Sequence, residues 1–362
     1  NQLRVNPNLK VICRSENQEV ARNMESFGTN VVLNPFEIFS NHLGIAIHSP
    51  QLHTLGLWLT DNGETNLTKV KTPPTGRWVV CGYGQLGKSL EIILGKRKID
   101  VTIIDPAPKD HHAPASSITG LGTEATTLIE ANLATATGLV AATADDADNL
   151  SIIMTAKELC PSLFTIARLN STDNEALFSA AKLDLVMRRD EVLADRILAI
   201  VDRPLVTQFL RLAHQLSKET VEKLMARIET ATGNNKPISW RYTVGSPQTL
   251  AFNRLLAKGA TLTVADLTKQ ANSLHRSAIP LLVVEDGNTH LLPEPSDQVS
   301  TGQQYLFCGT HNARRNSQWL CEDEELLDQV LHPDRASIPL IQWLSRIQEQ
   351  RCPSMKKVIN NE

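Results

Sequence analysis

The sequence has few cysteines, and none of them are paired at a spacing typical of metal or redox sites. Its 362 residues contain six cysteines and no C-x-x-C motif. A chain of this length buries enough apolar surface to be stable without disulfide bonds. We therefore expect reduced thiols, as in cytosolic proteins, and exclude a disulfide-rich secreted scaffold.

The sequence also lacks long apolar runs and an excess of basic residues. No stretch approaches the ~18 uninterrupted apolar residues that a membrane-spanning helix needs, and residues 1–10 do not resemble a signal peptide. Lysine and arginine number 36 against 39 acidic residues, for a net charge of -3, so no basic face is expected to bind nucleic acid. These features predict a soluble globular chain of two or three domains.

An internal repeat runs through the first 204 residues. At a constant offset of 154, Pro7 matches Pro161, Arg14 matches Arg168, Glu37 matches Glu191 and Pro50 matches Pro204, and Leu9, Ile12 and Val32 also have identical partners. The counterpart of a glycine loop in the second copy would lie upstream of Asn1. We therefore interpret the first copy as the second half of a truncated domain. Its exposed faces must be covered by upstream residues or by a neighbouring chain.

The spacing of apolar runs predicts the fold class of the second copy. Short strands alternate with helices from residue 77 to 187, which indicates an α/β, Rossmann-like doubly wound parallel sheet. Residues 190–232 follow as a helical stretch with more apolar positions than one small sheet needs, which favours a dimer or interdomain contact. Alternating patterns after residue 233 predict a small C-terminal α+β lobe.

A glycine-rich loop carries the clearest chemical signal. Gly82-Tyr83-Gly84-Gln85-Leu86-Gly87 follows an apolar strand and opens a helix, and Asp105 with Pro106 ends the next strand. This context predicts a nucleotide site, with the pyrophosphate at the helix N-terminus and the ribose on Asp105. A carboxylate there disfavours a 2′-phosphate, so NAD(H) is the first candidate and ATP, ADP or AMP are alternatives to it.

Two further strand ends are candidate ligand contacts. Thr143 and Arg168 follow later strands of the same sheet, although Arg168 is equally suited to an ion pair with Asp145 or Asp146. A metal site built on His111 and His112 is disfavoured, because adjacent histidines point apart and an aspartate run before a helix usually caps it. No acid, base and substrate pocket expected of a dehydrogenase can be recognised, so no catalytic residue is predicted.

The successive strand ends resemble those of RCK (regulator of K+ conductance, also called KTN) domains, the TrkA-type regulatory domains of potassium channels and transporters. The similar stretches are residues 79–87, 101–106, 142–150 and 166–168, with 280–284 and 305–309 similar to the smaller C-terminal lobe. One departure is Leu121 in Gly120-Leu121-Gly122-Thr123, where the family commonly has an aspartate.

The resemblance implies a domain order. Residues 1–60 resemble the second half of a first N-terminal lobe, and 61–76 are an interdomain linker. A second N-terminal lobe with its crossover helix then covers 77–232, followed by a C-terminal lobe at 233–315 and a helical tail at 316–362. Two N-terminal lobes before one C-terminal lobe fit the tandem cytosolic region of a channel.

The resemblance also implies a function. Such a module is no enzyme: it binds a nucleotide, assembles into a dimer or tetramer through the crossover helix and gates potassium transport at the cytoplasmic face of the cell membrane. The pore-forming region would lie upstream or in a partner. A soluble NAD-dependent oxidoreductase, or a soluble nucleotide sensor with another partner, remains an alternative.

Overall fold

The computed structural model describes residues 9–60, 72–233, 235–269 and 278–332. They fall into two compact units, one of residues 9–56 and 72–204 and the other of residues 57–60 and 205–332 with those gaps. Most of the predicted linker and the tail beyond residue 332 lie outside the described residues.

The first copy of the repeat is a short β/α segment. Its two strands pair in parallel, and asparagine side chains at positions 17 and 34 cap the helices that follow them by accepting bonds from first-turn N–H groups. The elements are β1 (Ile12–Arg14), α1 (Gln18–Ser26), β2 (Val31–Leu33), α2 (Pro35–His48) and α3 (Pro50–Thr60).

The second copy contains a six-stranded sheet in the order β5-β4-β3-β6-β7-β8, with all neighbours parallel. This arrangement confirms the predicted doubly wound α/β fold. The elements are β3 (Trp78–Cys81), α4 (Gln85–Lys96), β4 (Val101–Asp105), β5 (Ile118–Thr119), α5 (Ala125–Glu130), β6 (Gly138–Ala141), α6 (Asp146–Leu159), β7 (Phe164–Leu169), α7 (Glu175–Ala180), β8 (Leu185–Arg188) and α8 (Arg189–Asp202).

The repeat is visible in the element bounds. Helix α2 spans residues 35–48 and α8 spans 189–202, so both ends are displaced by the same 154 positions. Strand β1 aligns in the same way with the middle of β7, and β2 aligns with β8. The two copies therefore build the same local structure from different sequences.

Helix α2 packs on the second copy of the same chain. Phe36, Phe39, Leu43 and Ile47 lie in one buried cluster with Trp78 and with Leu86, Leu90 and Leu94 of α4. The repeat predicts that upstream residues or another chain cover the first copy, whereas in the structure α4 of the same chain covers this helix. Sequence periodicity marks an apolar face but does not identify the surface that covers it.

The predicted helical stretch after residue 190 is divided into α8, α9 (Pro204–Ala213) and α10 (Lys218–Thr232). Pro204 lacks the N–H that would continue α8, and the Ser217 side chain caps α10 by accepting from the Thr220 N–H at 3.1 Å.

The C-terminal unit contains an antiparallel sheet in the order β11-β10-β12-β9. Its strands are β9 (Ile238–Thr243), β10 (Ile279–Glu285), β11 (Asn288–Leu291) and β12 (Gln304–Gly309), and its later helices are α11 (Leu250–Ala257), α12 (Val264–Thr268), α13 (His311–Glu322) and α14 (Glu324–Leu331). This separate sheet agrees with the predicted α+β lobe. None of the helices in the described ranges is long and apolar enough to cross a bilayer.

Candidate functional site

The shape of the loop between β3 and α4 depends on two of its glycines. Gly82 has a φ of +99°, which side-chain-bearing residues rarely adopt, and its N–H donates to the Ile104 carbonyl at 2.8 Å. A Cβ on Gly87 would lie 2.1 Å from the Gly82 carbonyl oxygen. The loop therefore closes tightly on the first turn of α4, as the sequence spacing predicts.

The remaining glycine of the loop, Gly84, faces open space. Gly84 is the N-cap residue of α4, and a Cβ placed there would have no atom within 4 Å. The first-turn N–H groups of a helix have no partners within the helix, and they carry the positive end of its dipole. Open space in front of such a terminus suits a phosphate or pyrophosphate, so the predicted cofactor class fits the residues present.

Asp105 is joined to the glycine loop. Its carboxylate is almost fully buried, and Oδ2 accepts from the Tyr83 N–H at 2.8 Å. Oδ1 accepts from the Ala107 N–H at 2.9 Å and lies 2.7 Å from Nδ1 of His111. Asp105 thus fixes the loop position, and a ribose hydroxyl that binds Oδ1 must share it with His111 or displace the imidazole.

The other predicted residues of the loop differ in what they expose. Leu86 and the ring of Tyr83 are buried in the core, so only their backbone groups are available to a ligand, while Gln85 and Pro106 are exposed. Burial, together with the nearby Glu91 carboxylate, raises the pKa of Tyr83. The Tyr83 hydroxyl donates to Glu91 Oε2 at 3.4 Å.

Asn149, which was not predicted as a site residue, connects the ends of β6 and β7. Its fully buried side chain accepts from the Thr143 N–H at 3.0 Å and hydroxyl at 2.8 Å, and it donates to the carbonyls of Thr143 at 3.2 Å and Arg168 at 2.9 Å. A polar residue on the buried face of α6 is the sequence signal that could have identified it. Through Asn149, both secondary candidates are held at one edge of the sheet.

The ion pair considered for Arg168 is not formed within the described residues. Asp145 caps α6 by accepting from the N–H groups of Ala147 and Asp148. Asp146 instead accepts from the N–H groups of Asn170 and Ser171 and from the Asn174 and Asn170 side-chain amides. Burial opposes ionisation of Asp146, but these hydrogen bonds outweigh it and hold its pKa below the ordinary value.

Arg168 lies against an aromatic ring. Its Cζ is 4.9 Å from the ring centroid of Phe36, and its Nε is buried with no hydrogen-bond partner in the described part of the chain. Burial and then the charge of Arg189 lower the pKa of Arg168, while Glu16 and Asp146 act in the opposite direction. A buried N–H without an acceptor is costly, and the Arg168 side chain is therefore held at an energetic cost.

A family model for the TrkA-N domain matches residues 78–189, which span the sheet and the edge described above. Residues 78–189 form a TrkA-N domain. The chain is 32% identical over 142 residues to a Trk system potassium uptake protein TrkA homolog of Methanothermobacter thermautotrophicus, covering 38% of this chain and 65% of that protein. It is 31% identical over 97 residues to potassium channel protein 1 of Methanocaldococcus jannaschii, covering 25% of this chain and 29% of that one.

Two solved structures match the chain at low sequence identity and with TM-scores below 0.5. The RCK domain of GsuK is 15% identical with a TM-score of 0.45, covering 86% of this chain and 75% of that one. The GsuK channel bound to NAD is 14% identical with a TM-score of 0.44, covering 90% and 62%.

The atypical segment of the TrkA-N domain follows β5. Leu121, at which the sequence departs from the resemblance, is 49% exposed, and Gly122 packs so closely on β3 that a Cβ would lie 2.8 Å from Cys81 Cβ. Among the described residues, no three histidine, cysteine, aspartate or glutamate side chains are grouped closely enough to hold a metal ion.

Proposed function

We propose that the TrkA-N domain binds an adenine nucleotide and that its occupancy regulates potassium transport by a membrane channel or transporter. NAD(H) is the first candidate ligand, with ATP, ADP and AMP as alternatives. The pore lies upstream in the same protein or in a partner. The observation that supports this proposal best is the open helix terminus at Gly84 next to Asp105.

The chemistry of the ligand follows from the groups that lie at the carboxyl ends of the parallel strands. Backbone N–H groups of α4 favour phosphates, and the Asp105 carboxylate suits ribose hydroxyls while repelling a 2′-phosphate. The half-buried guanidinium of Arg168 supplies a positive charge for an anionic group. Together these groups favour a nucleotide with a free ribose and at least one phosphate.

The regulatory role is supported by the two relatives, which are a Trk system potassium uptake protein homologue and a potassium channel protein. An NAD-dependent oxidoreductase would need an acid or base beside the nicotinamide and a substrate pocket. In the described residues at this edge, the polar side chains of Asp105, Thr143 and Asn149 are engaged in holding the loop and strand ends. We therefore propose a sensor rather than an enzyme.

We further propose that the module forms a homo-oligomer, a dimer or tetramer, through α8. By the repeat, Ile197 and Val201 correspond to Leu43 and Ile47 of α2, which are 3% and 1% exposed against α4. Ile197 and Val201 are 40% and 65% exposed. The same apolar face is therefore covered in one copy and open in the other, and a second chain would cover it.

The Val201→Glu variant is expected to shift the protein toward monomers, because it places a charge in the centre of that apolar face. Light scattering with size exclusion would measure the mass. Leu177→Glu is the matched control, since Leu177 is similarly exposed at 57% but lies on α7. Equal masses for wild type and Val201→Glu would contradict assembly through α8.

Calorimetric titration of the purified chain with NAD, NADH, ATP, ADP and AMP tests the binding proposal. We expect micromolar affinity for at least one of them, and a loss of at least about tenfold in Asp105→Ala, because a charged hydrogen-bond acceptor for ribose is removed. Asp110→Ala, a change at the exposed acidic residue beside His111, is the control and should bind normally.

Failure of the wild type to bind any of these nucleotides would give the loop a purely structural role. Turnover of NADH with a substrate would favour the oxidoreductase. Potassium flux through vesicles that contain the full-length transport protein, measured with and without the bound nucleotide, tests the regulatory half of the proposal. Flux that does not respond to the nucleotide would refute it.

A further inference from the structure

The repeat creates two equivalent contacts between the copies. Arg14 and Arg168 occupy the same position at the ends of β1 and β7, and Phe36 and Asp190 are each the second residue of the equivalent helices α2 and α8. Arg168 lies over the Phe36 ring, and Nη1 of Arg14 lies 3.9 Å from Oδ1 of Asp190. Each arginine therefore meets the start of a helix that belongs to the other copy.

The two contacts differ in charge. Arg14 has two carboxylate neighbours, Glu16 on its own copy and Asp190 on the other, so its charge is compensated. Arg168 has an aromatic ring in the place that corresponds to Asp190. A ring face attracts a guanidinium but offers no acceptor for its N–H groups.

The surroundings of Arg168 leave its charge only partly compensated. Glu16, which is close enough to favour the charged form of Arg168, also lies 3.6 Å from Nη1 of Arg189 and is bonded to Arg14. One carboxylate is thus shared by three arginines. The Asp146 carboxylate is already bonded to Asn170, Ser171 and Asn174. The buried Nε of Arg168 is left with no acceptor within the described residues.

We propose that Phe36 of the first copy is a positioning residue that holds the Arg168 guanidinium ready for the phosphate group of a nucleotide bound by the second copy. The nucleotide site is then built by both copies. At the equivalent position of the first copy, Asp190 pairs with Arg14, so this arginine is not available to an anion. This inference rests on the nucleotide-binding function proposed above. Through Phe36, the first copy then contributes to the affinity for the ligand.

The test compares ADP with adenosine, which has the same base and ribose but no phosphate. We expect Arg168→Gln to weaken ADP binding roughly tenfold or more, because a charged hydrogen bond is lost, and to leave adenosine binding unchanged. Phe36→Leu keeps an apolar side chain but removes the ring, and we expect about a three- to fivefold loss for ADP alone. In the Arg168→Gln background, Phe36→Leu should cause no further loss.

Two controls separate positioning from general packing. Phe39→Leu alters another buried phenylalanine of α2 and should leave ADP affinity unchanged. Asp190→Ala alters the equivalent of Phe36, at an exposed side chain, and should also leave it unchanged. If Phe36→Leu does not fold, Arg168→Lys provides the test, because it keeps the charge but cannot stack on the ring as a plane, and ADP affinity should fall several-fold.

The outcomes distinguish this inference from the proposed function. A wild-type chain that binds neither ADP nor adenosine would refute the function itself. Normal ADP binding by Arg168→Gln, with binding by the wild type, would overturn the inference alone. It would also be overturned if Phe36→Leu weakened ADP and adenosine equally, if its effect persisted in the Arg168→Gln background, or if Phe39→Leu or Asp190→Ala reproduced it.

Discussion

The Gly84→Asp variant is expected to lose nucleotide binding by at least about 100-fold while its fold stays as stable as the wild type or becomes slightly more stable. A Cβ at this position meets no atom within 4 Å, and the backbone φ of -73° is allowed for any residue. The new side chain therefore costs the folded chain no steric strain. It does enter the space in which we propose that the phosphates bind.

The opposite signs of the two effects follow from the helix terminus. Gly84 is the N-cap of α4 and provides no side-chain cap, whereas aspartate is among the preferred N-cap residues because its carboxylate accepts from first-turn N–H groups. The same carboxylate takes the donors that a phosphate would use and repels the phosphate charge. The variant thus replaces the ligand with a tethered anion.

Calorimetry with the tightest-binding nucleotide, together with thermal unfolding, measures both effects. Gly84→Asn is the matched control, since asparagine has nearly the same size and caps helices equally well but carries no charge. We expect Gly84→Asn to bind more weakly than the wild type and more tightly than Gly84→Asp. Full-strength binding by Gly84→Asp would show that the phosphates do not lie at this terminus.

The sequence predicted those parts of the fold that short-range patterns determine. The central strands are continuous apolar runs, and strands β3 to β8 lie between residues 78 and 188, where the sequence predicts strands alternating with helices from residue 77 to 187. The short elements β5, α5 and α12 were missed, because two to six residues carry too little periodicity to stand out. The helical stretch after residue 190 is divided at Pro204, which is a stop signal in the sequence, and again before Lys218.

In the candidate site, too, contacts set by motif spacing could be predicted from the sequence, and contacts set by packing could not. The contact between the glycine loop and Asp105 was predictable, because the spacing of the motif fixes adjacent strand ends in this fold. His111 reaches Asp105 only through the conformation of its own loop. The Phe36 contact depends on how α2 packs, and no residue near Arg168 in the sequence indicates it.

Gly87 is the loop glycine at which we expect the second large effect, a loss of folding stability. The Gly87→Ala variant is expected to destabilise the TrkA-N domain by about 3 kcal/mol or more, because the added methyl group would lie 2.1 Å from the Gly82 carbonyl oxygen. That oxygen belongs to backbone, and Gly82 is itself held by its bond to the Ile104 carbonyl. Neither group can move away as the end of a flexible side chain would.

Gly95→Ala is the matched control for this prediction. It makes the same substitution in the same helix, at a position where a Cβ has no atom within 4 Å, so it should stabilise the domain by about 0.5–1 kcal/mol through helix propensity. Differential scanning calorimetry of the two variants and the wild type measures both changes, with the two compact units followed as separate transitions where they resolve. Midpoints for Gly87→Ala and Gly95→Ala that shift in the same direction would contradict the tight closure of the loop on α4. Opposite shifts would show that the loop geometry itself requires glycine at position 87, independently of any ligand.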